Sequence, residues 1–424
     1  MRRIFALPFP MRHGTIVWDN WESTSTSLVS VARAESADHG AALCGIHNLG
    51  RDTARAGPFR TDGTLYGGQD NYNTYRIPSL ICTRTGTVLA FSEGRRDEGG
   101  DGVPTDIVLK RSLGNAGKWT PPFLTLKGLG RTRHTVMSWL PFQVAFRSAH
   151  GEAYMNPVPV IDQTDGTIYL LVNYYPQPYK DAPAEIRPIK STDEGATWTA
   201  PVDITPGTGK HELGPGAGIQ LQSGRLVVQT YDSVIFSDDH AKSWKSGAKV
   251  AWEPNETQVV QLIDGSLMFN KRSTPSRTVA ISKDQGETWS TPFAVPDLPD
   301  PDCEGSLVRF TRKDRGYSKD RLLFSNPVSG AIAAGSDESD PRGRFNVTVR
   351  ISYDEGKTWP VEKTILKGPG AYSSMTVFPD GSIGILFETG TAFGSFDDYA
   401  AKEVFARFTL DWLTDGKDYL VKSN

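Results

Sequence analysis

Eight side chains stand out as candidates for chemistry: Arg76, Arg95, Asp101, Glu256, Arg272, Arg344, Tyr372 and Glu388. They are scattered along the chain, yet six of them keep similar distances from a repeated glycine turn. Arg76 comes ten residues before Gly86 and Arg95 nine after it. Glu256 and Tyr372 each come nine before a glycine (Gly265, Gly381), and Arg272 and Glu388 each come seven after the same one. Guanidiniums grip carboxylates through charge-assisted, partly bidentate bonds. Carboxylates and a phenol are groups that carry protons or attack carbon. Taken singly, each residue has an ordinary reading. An Arg at a strand end is usually at the surface, a Tyr in a strand usually packs, and an acid beside a loop is usually solvated. Only their joint occurrence at equivalent positions singles them out.

The elements that must position them are written in two series of turns. One is the box Ser352-Tyr-Asp-Glu-Gly-Lys-Thr-Trp359, repeated at Ser282–Trp289 and Ser191–Trp198 with all five fixed positions. Ser237–Trp244 keeps Ser, Asp and Trp, and Ser112–Trp119 keeps only the first and last residues. Asp and Gly suit a tight reversal, Ser and Thr tie the flanking strands, and Trp anchors the hairpin. One carboxylate per copy makes a poor calcium cage, so the boxes are read as scaffold. The second series is Thr85-Gly86, Asp165-Gly166, Ser223-Gly224, Asp264-Gly265, Arg315-Gly316 and Asp380-Gly381, each followed by a β-rich run. Hairpin-then-hairpin six times over predicts an all-β chain: a six-bladed β-propeller with four strands per blade. A β-sandwich is the plainer alternative. The strand Val404–Thr409 is expected to close the ring against a strand near Leu65.

Strand parity then locates a site. With the glycine turn joining strands A and B and the box joining C and D, both turns lie on one face of the disc. The B–C loops and D–A connections lie on the other. All eight residues fall near the start of A, near the end of B, or in B–C loops, so they converge beneath one rim.

Bulk properties narrow the field. A formal net charge of −3 over 424 residues implies no general attraction to nucleic acid. Three cysteines, Cys44, Cys82 and Cys303, share no metal-ligand spacing, and seven His give no HExxH pattern. No apolar run reaches the roughly 18 residues of a membrane span. Met1-Arg2-Arg3 before Ile4–Leu7 resembles a signal-peptide start, but Pro8, Pro10 and Arg12 cut the apolar run short. Residues 1–63 are expected to form an atypical extension, with the propeller over 64–424.

At this point the chain resembles the sialidases (neuraminidases) with Asp boxes, over about residues 65–412. Tyr75-Arg76-Ile77-Pro78 is similar to the family's Arg-Ile-Pro signature, and Phe91-Ser-Glu-Gly-Arg95 to its second arginine segment. Asn255-Glu256-Thr257-Gln258 and Asn270-Lys-Arg272 match in type and spacing, as do Arg344, Tyr372 and Glu388. Residues 1–60 and the worn first and third boxes depart from the pattern without touching the pocket.

The resemblance implies a retaining exo-α-sialidase acting on sialylated glycans, with no metal or cofactor needed. Arg76, Arg272 and Arg344 would grip the sugar carboxylate, and Glu388 would orient Arg76. Tyr372 would be the nucleophile, Glu256 its base, Asp101 the acid/base, and Arg95 a contact to a ring substituent. A neutral phenol suits an anionic substrate, because two like charges about 4 Å apart repel by roughly 4 kcal/mol at an effective dielectric of 20. Tyr nucleophiles are the recorded sialidase exception among glycosidases. Asp97, Glu98 and Asp106 are rivals for the acid role. Met137, Trp139, Leu140 and Phe142 are candidates either for an apolar patch under an N-acyl group or for plain packing. Transfer to an acceptor, preference for the deaminated acid Kdn, an Asp-box glucan hydrolase, and a non-catalytic glycan-binding propeller are the competing readings.

Overall fold

Both turn series fold as their residue types dictate. The computed structural model of the protein describes residues 60–97, 99–113, 139–149, 151–176, 184–328, 343–390 and 402–422. Trp119 of the first box, Glu98, Met137 and most of the expected extension lie outside the described residues. The six turn glycines all take positive φ, from +80 at Gly381 to +95 at Gly224, the region glycine enters without strain.

Each glycine turn joins an antiparallel pair. These are β2 (Thr74–Cys82) with β3 (Val88–Arg95), β6 (Ala153–Ile161) with β7 (Ile168–Tyr175), and β9 (Ile219–Gln220) with β10 (Leu226–Gln229). The same holds for β13 (Thr257–Gln261) with β14 (Leu267–Lys271), β17 (Ser306–Thr311) with β18 (Arg321–Val328), and β20 (Val361–Val377) with β21 (Ile383–Thr389). The fifth turn is looser because a 3-10 turn, Lys313–Arg315, is inserted before Gly316.

The boxes join third strands to fourth. They connect β11 (Val234–Ser237) to β12 (Lys245–Ser246), β15 (Ser276–Ser282) to β16 (Phe293–Pro299), and β19 (Phe345–Ser352) to β20. Another follows β8 (Glu185–Ser191), and Ser112 ends β4 (Thr105–Ser112), against which β5 (Gln143–Phe146) pairs. Within the last box the Ser352 hydroxyl donates to Asp354 Oδ1 (2.8 Å) and accepts from Gly356 N (2.8 Å). Thr358 donates from its N–H and its hydroxyl to the two Asp354 oxygens (2.9 and 2.7 Å). The worn box at Ser237 makes the same four bonds, because Ser243 supplies the hydroxyl and Ala241 accepts φ +58. A Cβ added at Gly286 would stand 2.6 Å from Val234 Cγ2, so that glycine presses its box onto the sheet before it.

The described strands form two seven-stranded and two four-stranded sheets, each seven-stranded one joining two neighbouring groups of hairpins, and the apolar core lies between successive groups. Leu89, Phe91, Ile107 and Leu109 pack on Ile161, Leu170, Val172 and Trp198, and Val158 and Val160 pack on Leu213, Val228 and Trp244. The pattern continues through Phe236 with Phe269 and Trp289, and Met268 with Phe324 and Trp359. Leu80, Val88 and Ala90 meet Phe378, Leu386 and Phe405, which joins the first sheet to the last. β1 (Arg60–Tyr66) pairs with β22 (Lys402–Phe408), with Leu65 opposite Glu403, as the closure expectation required. The architecture is an all-β propeller. Among the described residues, no helix is long and apolar enough to cross a membrane.

The box carboxylates make a test of stability against acid. Thr197 and Ser243 hydroxyl bonds, before any other cause, hold Asp193 and Asp239 down to about 2. A carboxyl of this kind has an unfolded pKa near 3.9, so its contribution is complete above about pH 4 and is lost as pH falls towards 2. The melting midpoint is therefore expected to drop between pH 4 and 2. Asp193→Asn together with Asp239→Asn should lower the midpoint at pH 7 and flatten that drop, as read by circular dichroism melts across the range.

Candidate active site

Every candidate side chain sits where strand parity sends it. Arg76 is the third residue of β2 and Arg95 the last of β3. Glu256 directly precedes β13, Arg272 directly follows β14, and Arg344 directly precedes β19. Tyr372 lies in β20, Glu388 in β21, and Asp101 in the loop between β3 and β4.

Local irregularities aim these groups. The β2–β3 register shifts between Arg76 and Ser79, and Ile77 adopts φ +61, which is rare for a β-branched residue. The bulge turns Arg76 and the Ile77 N–H towards one acceptor, Glu388. The β20–β21 register shifts between Gly370 and Ser373, at Tyr372 itself.

Glu388 is fully buried and accepts four N–H donors. Arg76 gives Nε (2.7 Å) and Nη2 (3.3 Å), Ile77 gives its N–H (2.9 Å), and Tyr372 gives its N–H (3.2 Å). The Tyr372 hydroxyl donates to Glu256 Oε1. Arg272 Nη1 reaches both partners, Glu256 Oε2 at 2.6 Å and Tyr372 Oη at 2.9 Å. Arg76 and Arg344 place their guanidinium carbons 5.3 and 5.6 Å from the centre of the Tyr372 ring. Six of the eight residues thus meet around one phenol.

Arg95 and Asp101 form a second group beside the first. Arg95 Nη2 lies 2.8 Å from Asp101 Oδ1, and the Asp101 side chain is 67% exposed. Arg95 is buried and is also held by Glu93 (2.8 Å) and the Gly99 carbonyl (2.5 Å). Glu93 is the register partner of Arg76, so the two groups share the β2–β3 ladder. Asp106 loses its claim to the acid role. It is fully buried, with bonds from Tyr72 (2.6 Å), Arg96 (2.6 Å) and Ser148 N (2.7 Å). Trp139 packs on Phe405, and Phe142 on Tyr72 and Tyr75, each half-buried against the core, in line with the plain-packing reading.

Electrostatics set the resting state. Burial pushes the Tyr372 phenol well above its ordinary range, and Glu256 adds to this against Arg272 and Arg344. The resting residue is a neutral phenol hydrogen-bonded to Glu256. Burial opposes the charge on Arg272, but Glu256, Tyr372 and Asp302 outweigh it and keep the guanidinium protonated. Burial also raises Glu403, which lies opposite Glu388 in the β21–β22 register, and Glu388 raises it further. Glu403 is thereby held neutral beside the Arg76–Glu388 ion pair. The arrangement offers fixed guanidiniums for an anionic ligand, a phenol with a base in contact, and an exposed carboxylate nearby.

Sequence reasoning missed several supporting residues. Glu93 stands two positions before Arg95, and residues two apart on a strand share a face. Asp302 and Glu304 lie between β16 and β17, a D–A connection that parity already assigned to the site face. No motif marked them.

Comparison with known proteins bears on the family and the fold. The BNR repeat-like domain family matches residues 86–385. A sialidase of Micromonospora viridifaciens is 30% identical over 383 residues, which is 82% of this chain and 53% of that protein. A sialidase of Bacteroides fragilis is 30% identical over 376 residues, 81% of this chain and 65% of that protein. This chain therefore spans between about half and two-thirds of these two relatives. An exo-alpha-sialidase of Aspergillus fumigatus is 28% identical over 385 residues, 81% of this chain and 86% of that protein. Among solved structures, the Hadza microbial sialidase Hz136 aligns with a TM-score of 0.67 at 25% identity, over 83% of this chain and 69% of that one. The Trypanosoma rangeli sialidase solved with 2,3-difluoro-KDN shares the fold, with a TM-score of 0.61 at 17% identity over 83% of this chain and 58% of that one. The family match covers most of the propeller, and the chain belongs to the BNR repeat-like domain family.

Proposed function

We propose that the protein is a retaining exo-α-sialidase that removes terminal sialic acids from glycoconjugates, on a propeller of six four-stranded blades. The observation that carries the reading is the contact of the Tyr372 hydroxyl with Glu256 while Arg272 bonds both. A non-catalytic glycan binder has no use for a phenol paired with a base. A glucan hydrolase has no use for three arginines around it. The blade count is supported by the six glycine turns and by the apolar layers that run from sheet to sheet and back to the first.

In this reading Arg76, Arg272 and Arg344 hold the substrate carboxylate, and Glu388 fixes Arg76 in place. Glu256 takes the phenol proton as Tyr372 Oη bonds to the anomeric carbon. The glycosidic C–O bond breaks, and Asp101 gives its proton to the leaving oxygen. Asp101 then removes a proton from water, which attacks the anomeric carbon, and Tyr372 leaves with its proton returned from Glu256. Two displacements at one carbon give net retention. Arg95 contacts a ring substituent and holds Asp101 at the pocket edge before substrate enters.

Turnover of paired fluorogenic α-glycosides of N-acetylneuraminic acid and Kdn, with and without an added acceptor sugar, tests the proposal. Release of the free acid from either glycoside supports it, and the ratio of the two names the preferred acid. Product found only on the acceptor would mark a transferase. No turnover of either substrate by the full chain would overturn the enzyme reading.

A further inference from the structure

The segment between β16 and β17 touches three of the residues first singled out, Arg272, Arg344 and Tyr372. Its centre is Asp302, with φ +58. The Asp302 carboxylate accepts from Arg272 Nε at 2.9 Å, and its backbone carbonyl accepts from Arg344 Nη2 at 2.7 Å. One residue therefore holds two of the three arginines, which come from different strands. Arg272 uses Nη1 on Glu256 and Tyr372, so a bond at Nε fixes the plane of the guanidinium while that edge reaches the phenol. A long side chain with several rotatable bonds is pre-organised by such a second anchor.

The backbone that presents Asp302 is itself fixed from below. Asp300 accepts from Cys303 N and from Ser273 N, both at 2.9 Å, and the latter adjoins Arg272. Fully buried Arg277 donates Nη1 to Asp300 (2.9 Å) and to the Cys303 carbonyl (2.8 Å). Cys303 packs on Tyr372. Glu304 accepts from Ser373 N (3.1 Å) and Gln258 Nε2 (3.2 Å), bracing the strands next to Tyr372 and Glu256.

We propose that Asp302 is a positioning residue that sets Arg272 and Arg344 at a common spacing for the substrate carboxylate. The proposal rests on the sialidase reading above. Wild-type turnover in the same assay tests that reading separately, so the two can fail independently.

Two variants isolate the carboxylate without straining the backbone. Asp302→Gly tolerates the positive φ and keeps the carbonyl bond to Arg344, but loses the anchor on Arg272. Asp302→Asn keeps an acceptor oxygen, also tolerates positive φ, and removes the charge. With an α-sialoside and the full chain, Asp302→Gly is expected to raise KM about tenfold while kcat falls less than about threefold. Asp302→Asn is expected to keep KM within about threefold of wild type. Affinity for free sialic acid over its methyl ester should shrink in the Gly variant and recover in the Asn variant. A Gly variant with a wild-type melting midpoint and an unchanged or lowered KM overturns the proposal. So does an Asn variant as impaired as the Gly variant.

Discussion

Tyr372→Phe is expected to lower kcat on an α-sialoside by about a thousandfold or more, equivalent to about 4 kcal/mol of barrier, with KM changed far less. The substitution removes one oxygen and little else. The ring stays packed with Ile77, Ala371 and Cys303, and Arg76 and Arg344 keep their places near its face. Glu256 loses the hydroxyl it accepts from, but Arg272 still holds its other oxygen. The substrate carboxylate thus meets the same arginines, while the atom that would bond to the anomeric carbon is gone. Steady-state kinetics on the purified variant provide the check. A fall in kcat of less than about tenfold would leave the phenol no nucleophilic role.

Glu388→Ala is expected to destabilise the protein by about 3–5 kcal/mol, the usual cost of removing one partner from a buried ion pair. It should also raise KM steeply in whatever folded protein remains. Glu388 is the acceptor for Arg76 and for the backbone N–H groups of Ile77 and Tyr372, and all of these lie in the interior. Its loss orphans two peptide donors and leaves Arg76 without that partner. Glu388→Gln separates stability from recognition. The amide can accept with its oxygen, but its NH2 would face a donor. An intermediate melting midpoint and an intermediate KM are expected. Chemical denaturation measures the first and initial rates the second.

Six of the eight candidates were legible from their spacing to a glycine turn, Arg344 and Asp101 only from strand parity and the family resemblance, and the supporting residues from none of these. Glycine turns and boxes recur because each solves the same backbone problem, so the hairpin pairs follow from the sequence, whereas the parallel β4–β6 contact and the joining of strands into seven-stranded sheets do not. The worn box at Ser237 shows why identity is less informative than chemistry: a hydroxyl at Ser243 and a tolerated positive φ at Ala241 are enough to close it. Parity carried the site further than motifs did, since it required only that strands alternate direction. The supporting residues were hidden because support is idiosyncratic. Asp302 acts partly through its carbonyl, which every residue type possesses, and Glu403 is recognisable only once it is known to face Glu388. Trp139 and Phe142 were ambiguous for a related reason. An apolar side chain in a connection reads the same whether it lines a pocket or packs beneath one.

In this mechanism Tyr372 bonds covalently to the sugar during turnover. A 2,3-difluorinated sialic acid tests it most directly: C2–F breaks as C2–Oη forms, Glu256 takes the phenol proton, and the fluorine at C3 slows release. Peptide mass spectrometry after a short incubation is predicted to find the sugar on the peptide containing Tyr372, and to find none in Tyr372→Phe. An adduct on Glu256 or on any other residue would contradict the account.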